Sequence, residues 1–90
     1  MKQPEPYSAP ALDKGLDILE MLCGTETPLS QKQIAQKLGR SVGEIYRMLT
    51  CLVKRDYVGL YDDSYFITPK LFQLVHSKFL SIYFATRVIS

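Results

Sequence analysis

Ninety residues allow one domain at most, with space for a small core but little for an enclosed active site. A composition of 47% hydrophobic and 22% charged residues excludes disorder across the whole chain. The net charge of +2 hides an asymmetry. Residues 1–28 carry two basic against five acidic residues, and residues 56–90 carry three of each. Between them, residues 29–55 hold six basic residues (Lys32, Lys37, Arg40, Arg47, Lys54, Arg55) against Glu44 alone. A block of +5 beside an acidic flank outlines a face for a polyanion.

Residues 1–7 contain two prolines and read as a flexible tail, and residues 1–10 lack the apolar run of a secretory signal. A first helix is expected from Ser8 as cap, with Pro10 in its first turn. Leu12, Leu16, Leu19 and Cys23, with Ile18 and Leu22 beside them, form its apolar stripe, and Gly24 is its stop. Residues 25–29 read as a loop around Pro28 that ends in a short strand. Ser30 and Gln33 then form a capping box, with Leu29 and Ile34 placed as a hydrophobic staple. The second helix runs from residue 31 to 38 with Ile34, Ala35 and Leu38 inward, and Gly39 ends it.

A second capping box, Ser41 with Glu44, opens a third helix. Its apolar stripe is Ile45, Met48, Leu49, Leu52 and Val53, and it runs to Lys54 or Arg55. Two capped helices joined by a short glycine-containing turn make a helix-turn-helix. Residues 57–61 and 65–68 are β-rich, and Asp62, Asp63 and Ser64 form the turn of a hairpin. Thr68 and Pro69 cap and open a fourth helix. The expected fold is therefore α+β and mostly helical. It is a winged helix-turn-helix of three helices and a hairpin over residues 8–68, followed by a linker helix over residues 69–90.

Chemistry is sparse elsewhere. Cys23 and Cys51 sit among apolar residues, far from metal-binding or redox spacing, and read as buried free thiols. His76 has no second ligand at metal spacing and reads as structural or surface. The chain shows no nucleophile with a base, no carboxylate pair and no phosphate loop, so neither an enzyme nor a cofactor is expected. Residues 71–89 are apolar, but Gln73, His76, Lys78 and Arg87 argue against a membrane span. The cytoplasm is the expected compartment.

The start of the third helix carries the expected readout of double-stranded DNA, because recognition helices enter the major groove by their first turns. Ser41, Val42, Gly43, Tyr46 and Arg47 face outward there. Arg47 leads, with two paired hydrogen bonds to a guanine edge or one to a phosphate open to it. Tyr46 either meets the DNA backbone or packs on the wing. Glu44 is a cap first, and a reader of cytosine second. Lys32, Arg40 and Lys54, with Lys37 and Arg55, suit phosphates. Tyr57, Tyr61 and Tyr65 read as wing and core packing. A winged helix used for protein assembly is the alternative, against which the basic recognition surface weighs. The fourth helix is apolar on more than one face, and the body can cover only one. Phe72, Val75, Phe79 and Tyr83 are therefore expected to pair with a second copy.

The ordered series of motifs resembles the amino-terminal domain of the IclR family of transcription regulators, over about residues 8–75. The resemblance rests on residues 11–19, Leu29 with Ser30, Ile34 with Ala35 and Leu38 with Gly39. It continues through Tyr46, Arg47 and Leu49, residues 55–58 and residues 65–71. It implies a regulator that binds a palindromic operator as a dimer or tetramer. It further implies a larger domain, beyond these 90 residues, that senses a small-molecule effector. Residues 40–44 depart from the family's usual apolar-proline-basic-Ser-Thr run at the DNA-facing end, so the operator sequence does not carry over.

Overall fold

The computed structural model describes residues 9–89, except the side chains of residue 84 and residues 86–89. Four helices and three strands follow in the order α1 (Pro10–Gly24), β1 (Leu29–Ser30), α2 (Gln31–Leu38), α3 (Val42–Lys54), β2 (Val58–Tyr61), β3 (Ser64–Ile67) and α4 (Lys70–Ile89). The sheet is antiparallel in the order β1-β3-β2. Leu29 lies opposite Tyr65 in one ladder, and Leu60 opposite the same Tyr65 in the other. Helices packed on a hairpin that is completed by one short strand make a winged helix, as expected.

The local chemistry fixes the helix ends. Ser30 Oγ accepts from the Gln33 amide and Gln33 Oε1 accepts from the Ser30 amide, so the first capping box is complete. Gly39 adopts φ 66, and its own amide and that of Arg40 close the end of α2 onto the carbonyls of Gln36 and Ala35. Glycine is suited to this position because a Cβ there is strained. The end of α3 repeats the device with a different residue. Asp56 takes φ 70, its amide bonds the Val53 carbonyl, and that of Tyr57 bonds Leu52. The hairpin turn is two residues long, with Asp62 and Asp63 at φ 53 and 62, as a type I′ turn demands. Ser64, expected in the turn, pairs with Tyr61 as the first residue of β3.

The core is Ile18, Leu22, Leu29, Ile34, Ala35, Ile45, Leu49, Val58 and Tyr65. Each helix of the body and each strand contributes to it, which holds the helix-turn-helix angle. At about 25 cal/mol per Å² of apolar surface, each of the Ile, Leu and Val side chains in it contributes roughly 1.5–3 kcal/mol of burial.

Several expectations are corrected. The N-cap of α1 is Ala9, which makes no side-chain cap, and Ser8 lies outside the described residues. Ile18 and Leu22 are the core side of α1, whereas Leu12 and Leu16 are exposed. Helix α1 has apolar residues around more of its circumference than the small body can cover. Cys23 of α1 and Cys51 of α3 are exposed rather than buried. Tyr61, expected to pack, is 79% exposed beside the wing tip. Helix α4 also departs from expectation, because the body covers none of its faces beyond the first turn. All side chains from Phe72 to Tyr83 are exposed, and Phe72 stacks on His76 of its own helix.

Candidate nucleic-acid interface

Ser41 occupies the N-cap of α3 in extended backbone geometry, so the helix opens towards solvent with its first amides grouped together. Val42, Gly43, Tyr46, Arg47 and Thr50 follow as an exposed face over the first two and a half turns. The opposite face is pinned by Ile45 and Leu49, both fully buried. The helix is thus anchored on one side and presented on the other. Arg47 makes no contact that would hold it back among the described residues. Lys32 and Arg40 are also exposed, the first in the opening turn of α2 and the second in the turn between the helices. Lys54 is exposed at the other end of α3, about 18 Å along the axis from Val42 at 1.5 Å per residue. A major groove is about 12 Å wide. That axial span exceeds the width of one groove.

Glu44 has a double task. Its Oε1 accepts from the Ser41 amide at 3.3 Å while Ser41 Oγ accepts from the Glu44 amide at 3.2 Å, which completes the second capping box. Its Oε2 accepts from Lys14 Nζ of α1 at 2.7 Å. The Lys14 hydrogen bond, then the Ser41 amide, hold the carboxyl below its ordinary 4.5, with partial burial opposing them. The ion pair ties the start of the recognition helix to α1 and offsets the one negative charge on this end. Gln31 Nε2 adds a bond to the Val42 carbonyl at 3.3 Å, joining the first turns of α2 and α3.

Sequence reasoning missed Lys14 and Gln31, because both bonds cross between helices and leave no mark in local spacing. It also passed over Thr50, whose exposed hydroxyl donates to the Tyr46 carbonyl at 2.8 Å. A polar residue one turn beyond Tyr46 on the exposed face was the available signal. Tyr46 is 54% exposed. Burial first, then Tyr46 and Asp63, push the Tyr65 phenol up from 10.0. The wing tip itself carries Asp62 and Asp63, both exposed, and repels phosphate. Gly59 faces Phe66 across the ladder, and a Cβ at 59 would come within 2.3 Å of that ring.

Comparison with known proteins meets this geometry at the turn and the recognition helix. The family model for the IclR helix-turn-helix domain matches residues 11–59, from the start of α1 into β2. The chain belongs to the IclR family. Its helix-turn-helix is thus a DNA-binding domain of the kind carried by transcription regulators. No curated protein sequence matches the chain. Among solved structures, it is similar to an IclR family transcriptional regulator from Brucella abortus, with a TM-score of 0.74 and 22% identity over 87% of this chain and 30% of the other. An IclR transcriptional regulator from Alicyclobacillus acidocaldarius gives 0.70 and 24% over 76% and 28%. The Agobacterium tumefaciens repressor BlcR gives 0.69 and 18% over 77% and 28%. The chain spans less than a third of the length of each.

Proposed function

We propose that this IclR-family domain binds operator DNA by laying the first turns of α3 in the major groove, as part of a dimeric regulator. The observation that carries the reading is the exposed Arg47 face of a doubly capped helix, set in a block of +5 charge. Arg47 reads a base edge or grips a phosphate, and Gly43 lets the helix approach closely. Ser41, Val42 and Tyr46 line the same approach. Lys32, Arg40 and Lys54 hold phosphates and set register without reading sequence. Phe72, Val75, Phe79 and Tyr83 of α4 serve self-association. Residues 8–68 act as the DNA-binding unit and residues 69–90 as the linker helix. An effector reaches the protein through a further domain of the regulator. The domain is a binding module and not a catalyst, working in the cytoplasm.

The acidic wing tip supports a mode in which the hairpin braces α3 through Tyr65 instead of gripping the backbone. Titration of the chain against random duplex DNA at increasing salt tests the reading. A steep linear fall of log affinity with log salt is the expected result. A flat response would return the fold to the protein-assembly alternative.

A further inference from the structure

The exposed start of α3 holds few side chains that are still free to meet a base. Ser41 Oγ and Glu44 Oε1 are engaged in the capping box, and Glu44 Oε2 is held by Lys14. The Thr50 hydroxyl, one turn past Tyr46, donates to the Tyr46 carbonyl. Besides Tyr46 and Arg47, the first two turns present Val42, which is 46% exposed, and the bare backbone of Gly43. Neither serves the fold. Val42 is apolar, yet it belongs neither to the core nor to the side chains packed against it. A Cβ at Gly43 would meet no atom within 4 Å among the described residues, and its φ lies outside the left-handed region. Glycine loses more backbone freedom on folding than any other residue, so a helix gains nothing from one that packing and φ do not require. The helix therefore starts with an exposed apolar side chain beside a position left bare for no internal reason.

We infer that Val42 reads the 5-methyl group of a thymine in the major groove, and that Gly43 leaves the room for it to reach the base edge. The inference rests on the proposed docking of α3 and names one base that this docking selects. Every base pair presents hydrogen-bonding atoms in the major groove, and thymine alone adds an apolar group there. An isopropyl side chain makes no hydrogen bond, so that methyl group is the feature it distinguishes. Recognition helices bring their N-terminal residues to the base edges, and Val42 is the first residue of α3. Its backbone is fixed by the Ser41 cap before it and by Gln31 Nε2, which bonds the Val42 carbonyl at 3.3 Å. Its side chain is stiff as well, because a β-branched residue in a helix keeps one strongly preferred χ1 rotamer. The contact is thus ordered before DNA arrives. Tyr46 stands one turn further along the same row, and Gly43 stands one turn before Arg47. With no Cβ at position 43, the first turn sits deeper in the groove, between the valine and the arginine.

Removal of single methyl groups from the DNA supplies the test. The full 90-residue chain enriches duplexes from a randomised library, and each thymine of the enriched half-site is then exchanged for deoxyuridine. That exchange deletes the methyl group and keeps every hydrogen-bonding atom. For the parent chain, one such exchange should lower affinity about fourfold, as expected for one buried group of methylene size. Val42→Ala, a change at an exposed position, should melt close to the parent. It should bind the thymine duplex weakly and be indifferent to the exchange, which isolates the pairwise contact. Gly43→Ala should melt no lower than the parent and yet lose affinity for the enriched duplex. Deoxyuridine effects equal in the parent and in Val42→Ala at every position would overturn the methyl contact, as would an enriched half-site without thymine. Parent-like binding by Gly43→Ala would overturn the role given to that glycine. Failure of the wider reading has a different signature: no sequence would be enriched, and base readout by α3 would fall with the inference that stands on it.

Discussion

On the proposed reading, Arg47 is the residue that carries base readout. It projects from the second turn of α3 beside Tyr46, behind a cap that holds the helix start in place. Arg47→Ala should weaken operator binding by roughly 1–3 kcal/mol and relax preference at one base pair, if the guanidinium pairs with a base edge. Equal losses on operator and random DNA would assign it to a phosphate, and unchanged curves on both would remove it from the interface. Glu44 is a cap and an anchor, accepting from the Ser41 amide and from Lys14. Its carboxyl is held below its ordinary 4.5 by Lys14 and the Ser41 amide. A group with a depressed folded value stabilises the fold above its unfolded value, and that contribution is lost as pH falls through the folded one. Stability should therefore decline below about pH 4.5 partly through Glu44, and Glu44→Gln should reduce that acid-side loss. At neutral pH the variant should melt within a few degrees of the parent, because a partly exposed pair contributes little. Binding of DNA should be slightly tighter, since a negative charge leaves the phosphate side while Lys14 stays. A loss confined to one operator base pair would show Glu44 reading that base. The cap was legible in the spacing of Ser41 and Glu44. The Lys14 bond was not, because it joins residues thirty positions apart.

The elements carry two further expectations. Helix α3 ends with Asp56 at φ 70, where the matching position of α2 has Gly39 at φ 66. Glycine enters the left-handed region without a Cβ penalty, so Asp56→Gly should stabilise the domain by about 0.5–1 kcal/mol. Chemical denaturation would check it, and a loss of stability would show that the aspartate side chain has a partner of its own. Across the paired helices, Lys32→Ala and Arg40→Ala should each weaken binding to all sequences alike. Each should also flatten the salt slope by about one unit if it holds a phosphate. Unchanged slopes in both would turn the basic block toward solvent. At this scale the sequence was most readable, because capping boxes, Gly39 and the Asp62–Asp63 turn act through neighbours within four positions. Readability failed where a face had to be chosen. Helix α1 has apolar residues on two adjoining sides, and only packing decides that Ile18 and Leu22 enter the core while Leu12, Leu16 and Cys23 stay outside. The same limit applies to Cys51 and to α4, whose apolar pattern says that something covers it without saying what.

The described residues measure 52 × 40 × 22 Å along their principal axes, and the exposed helix α4 adds nothing to the core. Removing that helix should therefore leave the fold intact while ending self-association. A chain cut after Leu71 should melt cooperatively close to the parent temperature and sediment as a monomer. Its binding to random DNA should retain the parent's salt slope per copy, since the basic block lies wholly in residues 29–55. What it should lose is the gain from joining two half-sites. A two-fold dimer presents two recognition helices, so its operator is an inverted repeat with centres one helical turn, about 34–36 Å, or a multiple of it apart. For the full 90-residue chain, inserting about five base pairs between half-sites should abolish the advantage over a single half-site, because half a turn places the second half-site on the far face. Inserting about ten should restore much of it if the linker tolerates the added length. The truncated chain should be indifferent to both insertions. If instead the full chain ignores spacing while still sedimenting as a dimer, the two recognition helices do not face one duplex together. The pairing through α4 would then serve the regulator's assembly and not its operator geometry.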